Sequence, residues 1–297
     1  MKKSKKYIGF LIGLIPFSGV KIILYRLLGA KIGKRCKIGL FSYFLCNNYS
    51  QIIIDNFVTI GKSNSFHISE LTIKSHTLTS NNINIRGYGK LTIGKQGYIA
   101  QHAFFDTSGN IEIGHYVATP PFGAIYSHNY STTWFEEGRK ANKNTVKIGD
   151  NCWFGPKTII SNSSIGNYCK AAPGSAIFEN LPNHAMVMGN PAKIISKVYP
   201  KKLPKDFIKT KEFQDYCKQF SSNKKDLLFV SSKTLINEIS KIKHTIIFST
   251  LESPKIDMSN ITLVDLHQNK IKGSDLPLSI KLANALREWG LFLDICT

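Results

Sequence analysis

Acidic side chains are scarce in this chain: 19 Asp and Glu stand against 39 Lys and Arg in 297 residues, a formal net charge of +20. Such an imbalance favours anionic partners, among them nucleic acid, lipid headgroups and phosphorylated small molecules. A second absence argues against nucleic acid, since no basic stripe with interleaved aromatics and no DNA-reading motif accompanies the charge. Cysteine pairs are also missing. The six cysteines (Cys36, Cys46, Cys152, Cys169, Cys217 and Cys296) are scattered without a CxxC, which points to a reducing compartment with neither a disulfide framework nor a zinc site. No apolar run is long enough to cross a bilayer: IGFLIGLIPF near the start has ten residues and contains Pro16. The basic opening MKKSKKY is not followed by a small-x-small cleavage site, so it does not read as a signal peptide.

What is present is a period of six. Ile148, Phe154 and Ile160 are six apart, as are Ile165, Ala171 and Ile177, and a small residue sits four after several of them (Cys152, Thr158, Cys169, Ser175). That period fits neither an amphipathic helix nor an ordinary strand. It is the hexapeptide repeat of a parallel β-helix, in which each hexad gives one short strand and one corner, and three hexads close a triangular coil. Each inward side chain stacks on its counterpart one coil away, so stability comes from neighbouring coils. The expected fold is mainly β, a left-handed parallel β-helix, an exception to the right-handed crossover rule.

The repeat begins weakly at Ile32 and Ile38, continues through Ile54, Ile60 and Phe66, and is clear from Ile93, Ile99 and Phe105 onward. Between Leu71 and Ile85 the sequence is Asn-rich and reads as degenerate coils, Asn suiting left-handed corners. Three irregularities interrupt the phase. Phe105 to Ile113 is two residues too long, the chain leaves the pattern at His128 until Ile148, and Ile160 to Ile165 is one residue short. With the faces numbered from Ile93, all three fall at the corner between the third face and the next first face. Loops that leave a rigid scaffold along one edge are where function concentrates.

Residues 1–30 read as two short amphipathic helical segments under a basic tip. They either cap the first coil, as solenoids require, or touch an anionic membrane face, and the two roles are compatible. The β-helix spans 31–197. Residues 198–297 lack the repeat and read as a small α/β appendage. Its strands are expected at LLFV, TIIFS and ITLVDL, and its helices over 205–220, 233–243 and 278–289.

The segments IGDNCWFG, PGSAI, MGNPAKII and AIYSHNY resemble those of the hexapeptide-repeat acyltransferases, specifically the branch that O-acetylates sugars, such as the maltose, galactoside, capsule and O-antigen acetyltransferases. The resemblance covers about 31–197 and leaves out the last hundred residues. It implies a homotrimer with acetyl-CoA lying between neighbouring β-helices, a saccharide acceptor, and His128 as general base. The chemistry agrees, because an alcohol at neutral pH is a poor nucleophile and an imidazole titrates near the working pH. A backbone N–H would stabilise the tetrahedral oxyanion. His102, His115 and His128 are spaced by thirteen, but the first two fall on other faces and do not converge with the third within one subunit, so no metal is expected.

The resemblance further implies acceptor binding by Asp106, and by Gln101 where relatives carry Asn. It assigns the cofactor to Trp153, Gly155, Pro156, Gly174, Ser175 and Lys193, with Glu179 a departure that weakens the phosphate contact locally. Trp153 reads equally well as surface packing. Trp134, with Phe135 and Arg139 on the excursion loop, either stacks on the acceptor or pins the loop to a neighbouring subunit. The expected activity is acetyl-CoA-dependent O-acetylation of a surface polysaccharide or its precursor, in the cytoplasm at the inner face of the membrane. N-acetylation of a nucleotide-linked aminosugar and a non-catalytic scaffold are the alternatives.

Overall fold

The computed structural model describes residues 2–129 and 142–199 and, beyond them, Lys211 and five strands. The chain divides into two compact units, Met1–Pro200 and Lys201–Thr297.

The first unit is a parallel β-solenoid of seven coils, consistent with the left-handed form. Its first face stacks seven strands, from Lys31–Ile32 to Ser164–Ile165, and its third face seven more, from Tyr43–Leu45 to Ala176–Ile177. The second face is two four-stranded sheets, joined through the single bridges Tyr98 to Ala118 and Ala118 to Trp153. The period-six residues form the shaft. Ile54, Ile73, Ile93, Ile113 and Ile148 align on the first face, and Phe66, Ile85, Phe105, Ile125 and Ile160 on the third; all are buried. Each such side chain contributes about 1.5–3 kcal/mol by leaving water. The small fourth position is explained as well: Cys152, Thr158, Cys169 and Ser175 are buried, and Cys152 and Cys169 are free thiols.

The Asn-rich stretch forms regular coils, with strands Glu70–Ile73, Leu78–Thr79 and Asn84–Gly87 in register with their neighbours. Nor is Asn the usual left-handed corner residue. Fifteen non-glycine residues among those described have positive φ, and only Asn82, Asn151 and Asn162 are Asn. Rings take several of the others and stack between coils, as Phe57 does on His76 (4.7 Å), His102 on Phe122 (4.7 Å) and Tyr168 on His184 (5.0 Å). These contacts offset the roughly 1–2 kcal/mol that a side chain costs in that conformation.

Helices α1 (Lys2–Gly13) and α2 (Ser18–Leu27) pack on the first coils. The Tyr25 hydroxyl donates to Gly9 O (3.0 Å) and accepts from the Phe44 N–H (3.3 Å), while Arg26 Nη2 donates to Ile32 O and Gly33 O (2.6 and 2.9 Å). Lys21 is fully buried with its ammonium on Gly39 O (2.7 Å), and burial holds its pKa below the ordinary lysine value. The capping role is therefore present. No described helix is long and apolar enough to cross a membrane.

In the second unit one sheet runs Asp226–Val230, Thr245–Ser249, Ile261–Asp265, Lys270–Gly273, Asp294–Cys296 in spatial order. The first three are parallel, the fourth is antiparallel to the third, and the fifth is parallel to the fourth. The three apolar runs supplied the parallel strands. The last two were missed because neither carries such a run. The expected helices lie outside the described residues, apart from Lys211, which is helical.

Candidate active site

All three irregularities of the repeat do fall on one edge, where the third face turns into the first. Parallel register aligns Leu45, His67, Arg86, Asp106, Tyr126 and Ser161 there, each from a successive coil. The excursion leaves from this column. His128–Asn129 pairs antiparallel with Asn142–Lys143, so a short ladder holds the stem of the loop and fixes the His128 backbone. Ser127 Oγ donates to Asp106 O (2.7 Å) and accepts from the Gly109 N–H (2.8 Å), tying that stem to the coil below. Glycine is required at 109, because a Cβ would lie 2.2 Å from Asn144 O.

His128 and Asp106 meet. The imidazole Nδ1 is 3.1 Å from Asp106 Oδ1, and both side chains are about nine-tenths buried, with 11% and 10% exposure. The same carboxylate oxygen accepts from the Ser108 N–H (2.9 Å) and Ser108 Oγ (2.6 Å). Asp106 Oδ2 faces the Arg86 guanidinium at 3.9 Å. A groove of about 440 Å³ runs along this edge, lined by His128, Tyr126, Asp106, Arg86, Tyr88 and His67 among others.

No family model matches the chain. It is 26% identical over 137 residues to the Staphylococcus aureus (strain Mu50) protein named "Putative acetyltransferase SAV2555", covering 43% of this chain and 69% of that one. It is 23% identical over 176 residues to the Escherichia coli (strain K12) protein named "Putative colanic acid biosynthesis acetyltransferase WcaF", covering 59% and 73%. A hexapeptide-repeat-containing acetyltransferase from Vibrio cholerae O1 biovar eltor, solved with acetyl coenzyme A, matches 67% of this chain and 87% of its own at 16% identity, with a TM-score of 0.40, a likeness too slight to bear on activity. The chain is similar in sequence to these putative acetyltransferases, and its hexads build the parallel solenoid described above.

The residues that the sequence assigns to cofactor sit elsewhere on the solenoid. Trp153 opens a second-face strand and is 45% exposed, and Pro156 is exposed at the corner after it. Gly155 is buried, and a Cβ there would lie 2.6 Å from Pro173 N, so stacking of the next coil already demands glycine. Gly174 has φ +73° and open space where a Cβ would be. Lys193 is exposed and shares a small groove of about 290 Å³ with Glu179 and Phe178, so the acidic departure and the lysine are neighbours.

Ser175 requires a correction. Its side chain is fully buried and its hydroxyl donates to Ala172 O (2.7 Å), so it closes a turn inside the shaft and offers nothing to a surface ligand. Gln101 is exposed at the corner between the second and third faces, separated within one chain from the His128 groove by the strand Phe104–Thr107. Trp134, Phe135 and Arg139 lie outside the described residues.

His102 stacks on Phe122, and His115 Nδ1 accepts from the Lys95 N–H (2.9 Å), each at a corner away from His128. Among the described residues no group of three or more His, Cys, Asp or Glu is arranged to hold a metal. Arg86, Tyr88 and His67 were missed by sequence reasoning. Counting back by one coil from Asp106 would have found Arg86, but the weak repeat there hid the register.

Proposed function

We propose that this protein transfers acetyl from acetyl-CoA to a sugar hydroxyl of a surface polysaccharide or its precursor, with His128 as general base. The observation that carries this reading is the 3.1 Å approach of His128 Nδ1 to Asp106 Oδ1 at the head of an edge groove. The acceptor oxygen attacks the thioester carbonyl while Nε2 takes its proton. The C–S bond then breaks, and the imidazolium returns the proton to the departing thiolate. Asp106, engaged by His128 and Ser108, orients the imidazole and steadies its charged form; this role suits its contacts better than a primary hold on the acceptor. No covalent enzyme intermediate is involved.

Within one chain His128 stands on the edge between third and first faces, whereas Trp153 opens a second-face strand. A homotrimer whose sites lie between neighbouring solenoids would bring the two regions together. Trp153, Gly155, Pro156 and Gly174 would then line the pantetheine path, with Lys193 near the phosphates and Gln101 reaching the acceptor from the neighbouring copy. The relatives' names support acetyl transfer, and the name of the Escherichia coli relative supports a polysaccharide context.

A peripheral position at the inner membrane face is part of the proposal. Tyr7, Phe10, Leu11, Phe17, Ile23 and Leu27 of the N-terminal segment are exposed, in a sequence that opens with Lys2, Lys3, Lys5 and Lys6. Apolar faces beside lysines suit anionic lipid.

The test is thiol release from acetyl-CoA against a panel of polysaccharides, for wild type and His128→Ala. The variant should lose rate and keep its affinity for CoA; equal rates would remove the assigned base. Base-labile products identify esters, whereas stable amides would transfer the reading to an aminosugar. Co-sedimentation with anionic vesicles, absent with neutral ones, tests the membrane contact.

A further inference from the structure

The groove does not end at the His128–Asp106 pair. It continues past Arg86 and His67 to Leu45 and Asn47, on the side towards the N-terminal coils. Register fixes the spacing, since Arg86 aligns with Asp106 and Asp106 with Tyr126. Arg86 therefore lies two coils from the coil that carries His128, ~10 Å along the axis at the usual strand separation. The groove itself runs on for two further coils, to the level of Leu45, and is longer than one sugar ring.

Arg86 is placed as an anchor. Its guanidinium carbon lies 4.7 Å from the centroid of the Phe104 ring, which orients the plane, while the side chain remains 63% exposed to the groove. Its nearest carboxylate oxygen, on Asp106, is 3.9 Å away, too far for a hydrogen bond, and that carboxylate is already engaged by Ser108 and His128. Among the described residues the guanidinium makes no hydrogen bond. A planar fork of N–H donors held in this way suits a carboxylate, taken through two parallel bonds. Tyr88, two residues on and 79% exposed, adds an aromatic face at the same level of the groove. Close approach of the backbone is built in as well, because Gly87 has φ +141° and a Cβ there would lie 2.4 Å from the Thr107 carbonyl carbon.

We infer that the acceptor is an acidic oligosaccharide lying along this edge, with the reacting hydroxyl at His128 and the carboxylate of a neighbouring sugar residue on Arg86. The inference rests on the proposed acetyl transfer and adds to it the length and charge of the acceptor. A single sugar would fill only part of the groove, and a neutral chain would leave the exposed guanidinium without a hydrogen-bonding partner.

Binding tests this separately from turnover. Titration calorimetry with the full chain and saturating CoA would use tetragalacturonate, maltotetraose, monomeric galacturonate and UDP-galactose as probes. Tetragalacturonate should bind at least tenfold more tightly than the neutral tetramer and the acidic monomer. Arg86→Gln should abolish that preference, Arg86→Lys should restore part of it as a point charge, and CoA affinity should be the same in all three proteins. His128→Ala should keep the preference although it loses acetyl transfer, so a failed base assignment and a failed anion site give different results. Equal affinity for the acidic and neutral tetramers, or a preference that survives Arg86→Gln, would overturn the inference. Tighter, Arg86-dependent binding of UDP-galactose would overturn it too, by giving the site to a diphosphate.

Discussion

Two kinds of corner turn the coils of the solenoid, and they differ in almost every respect. At the corners leaving the first and second faces, coil after coil passes through a left-handed residue, and rings such as His102 and Phe122 stack there. At the edge leaving the third face, only Asn162 of the fifteen positive-φ non-glycine residues is found. That edge varies in length and carries the His128 excursion, Asp106 and Arg86. A repeated backbone path leaves little freedom for insertion, whereas a corner without a fixed turn can admit loops and charged groups. The same turn repeats along two edges, and the irregular connections and the His128–Asp106 pair fall on the third.

The largest effect expected from breaking this contrast is His128→Ala, which should slow acetyl transfer by about 10²–10⁴-fold while the protein stays folded. A stopped assay on a folded protein, checked by circular dichroism, reads both quantities. Phe105→Ala removes a shaft side chain under the same edge and should cost about 3–5 kcal/mol of stability, measured by urea denaturation. A stability close to wild type would mean that the coils collapse around the gap. Asp106→Asn keeps the shape but removes the charge facing His128, and should reduce kcat by about ten- to a hundredfold with little change in acceptor KM. A change confined to KM would return Asp106 to acceptor binding. At the opposite kind of corner, His102→Ala should cost only about 0.5–1.5 kcal/mol through the lost stack and leave the rate unchanged. A fall in rate there would erase the distinction between the edges.

Much of this was legible from residue spacing. The step of six from Ile148 to Ile160 identified the shaft, and the breaks after Phe105, Tyr126 and Ile160 identified the edge, because one inserted residue moves every later side chain off its face. The repeat was misread where inward positions are polar: Thr79 is buried in the shaft on the second face, although a hydrophobic pattern passes over it. At Ser175 two readings of one residue compete, and the structure follows the repeat rather than the motif match to cofactor-binding segments, since the coil turns its hydroxyl inward.

The sequence by itself determined a stacked-coil fold, its inward residues, and the edge at which His128 stands. It could do so because a short period in the chain becomes a direction in space through local backbone geometry alone. Only the tertiary structure decided that Asp106 engages His128, that Arg86 and Tyr88 continue the same groove, and that the N-terminal helices close the first coil with Lys21 buried beneath them. The first two join side chains about twenty positions apart whose approach depends on rotamers and on hydrogen bonding between coils, and the third is a contact from helix to coil; none of these is encoded in a local pattern.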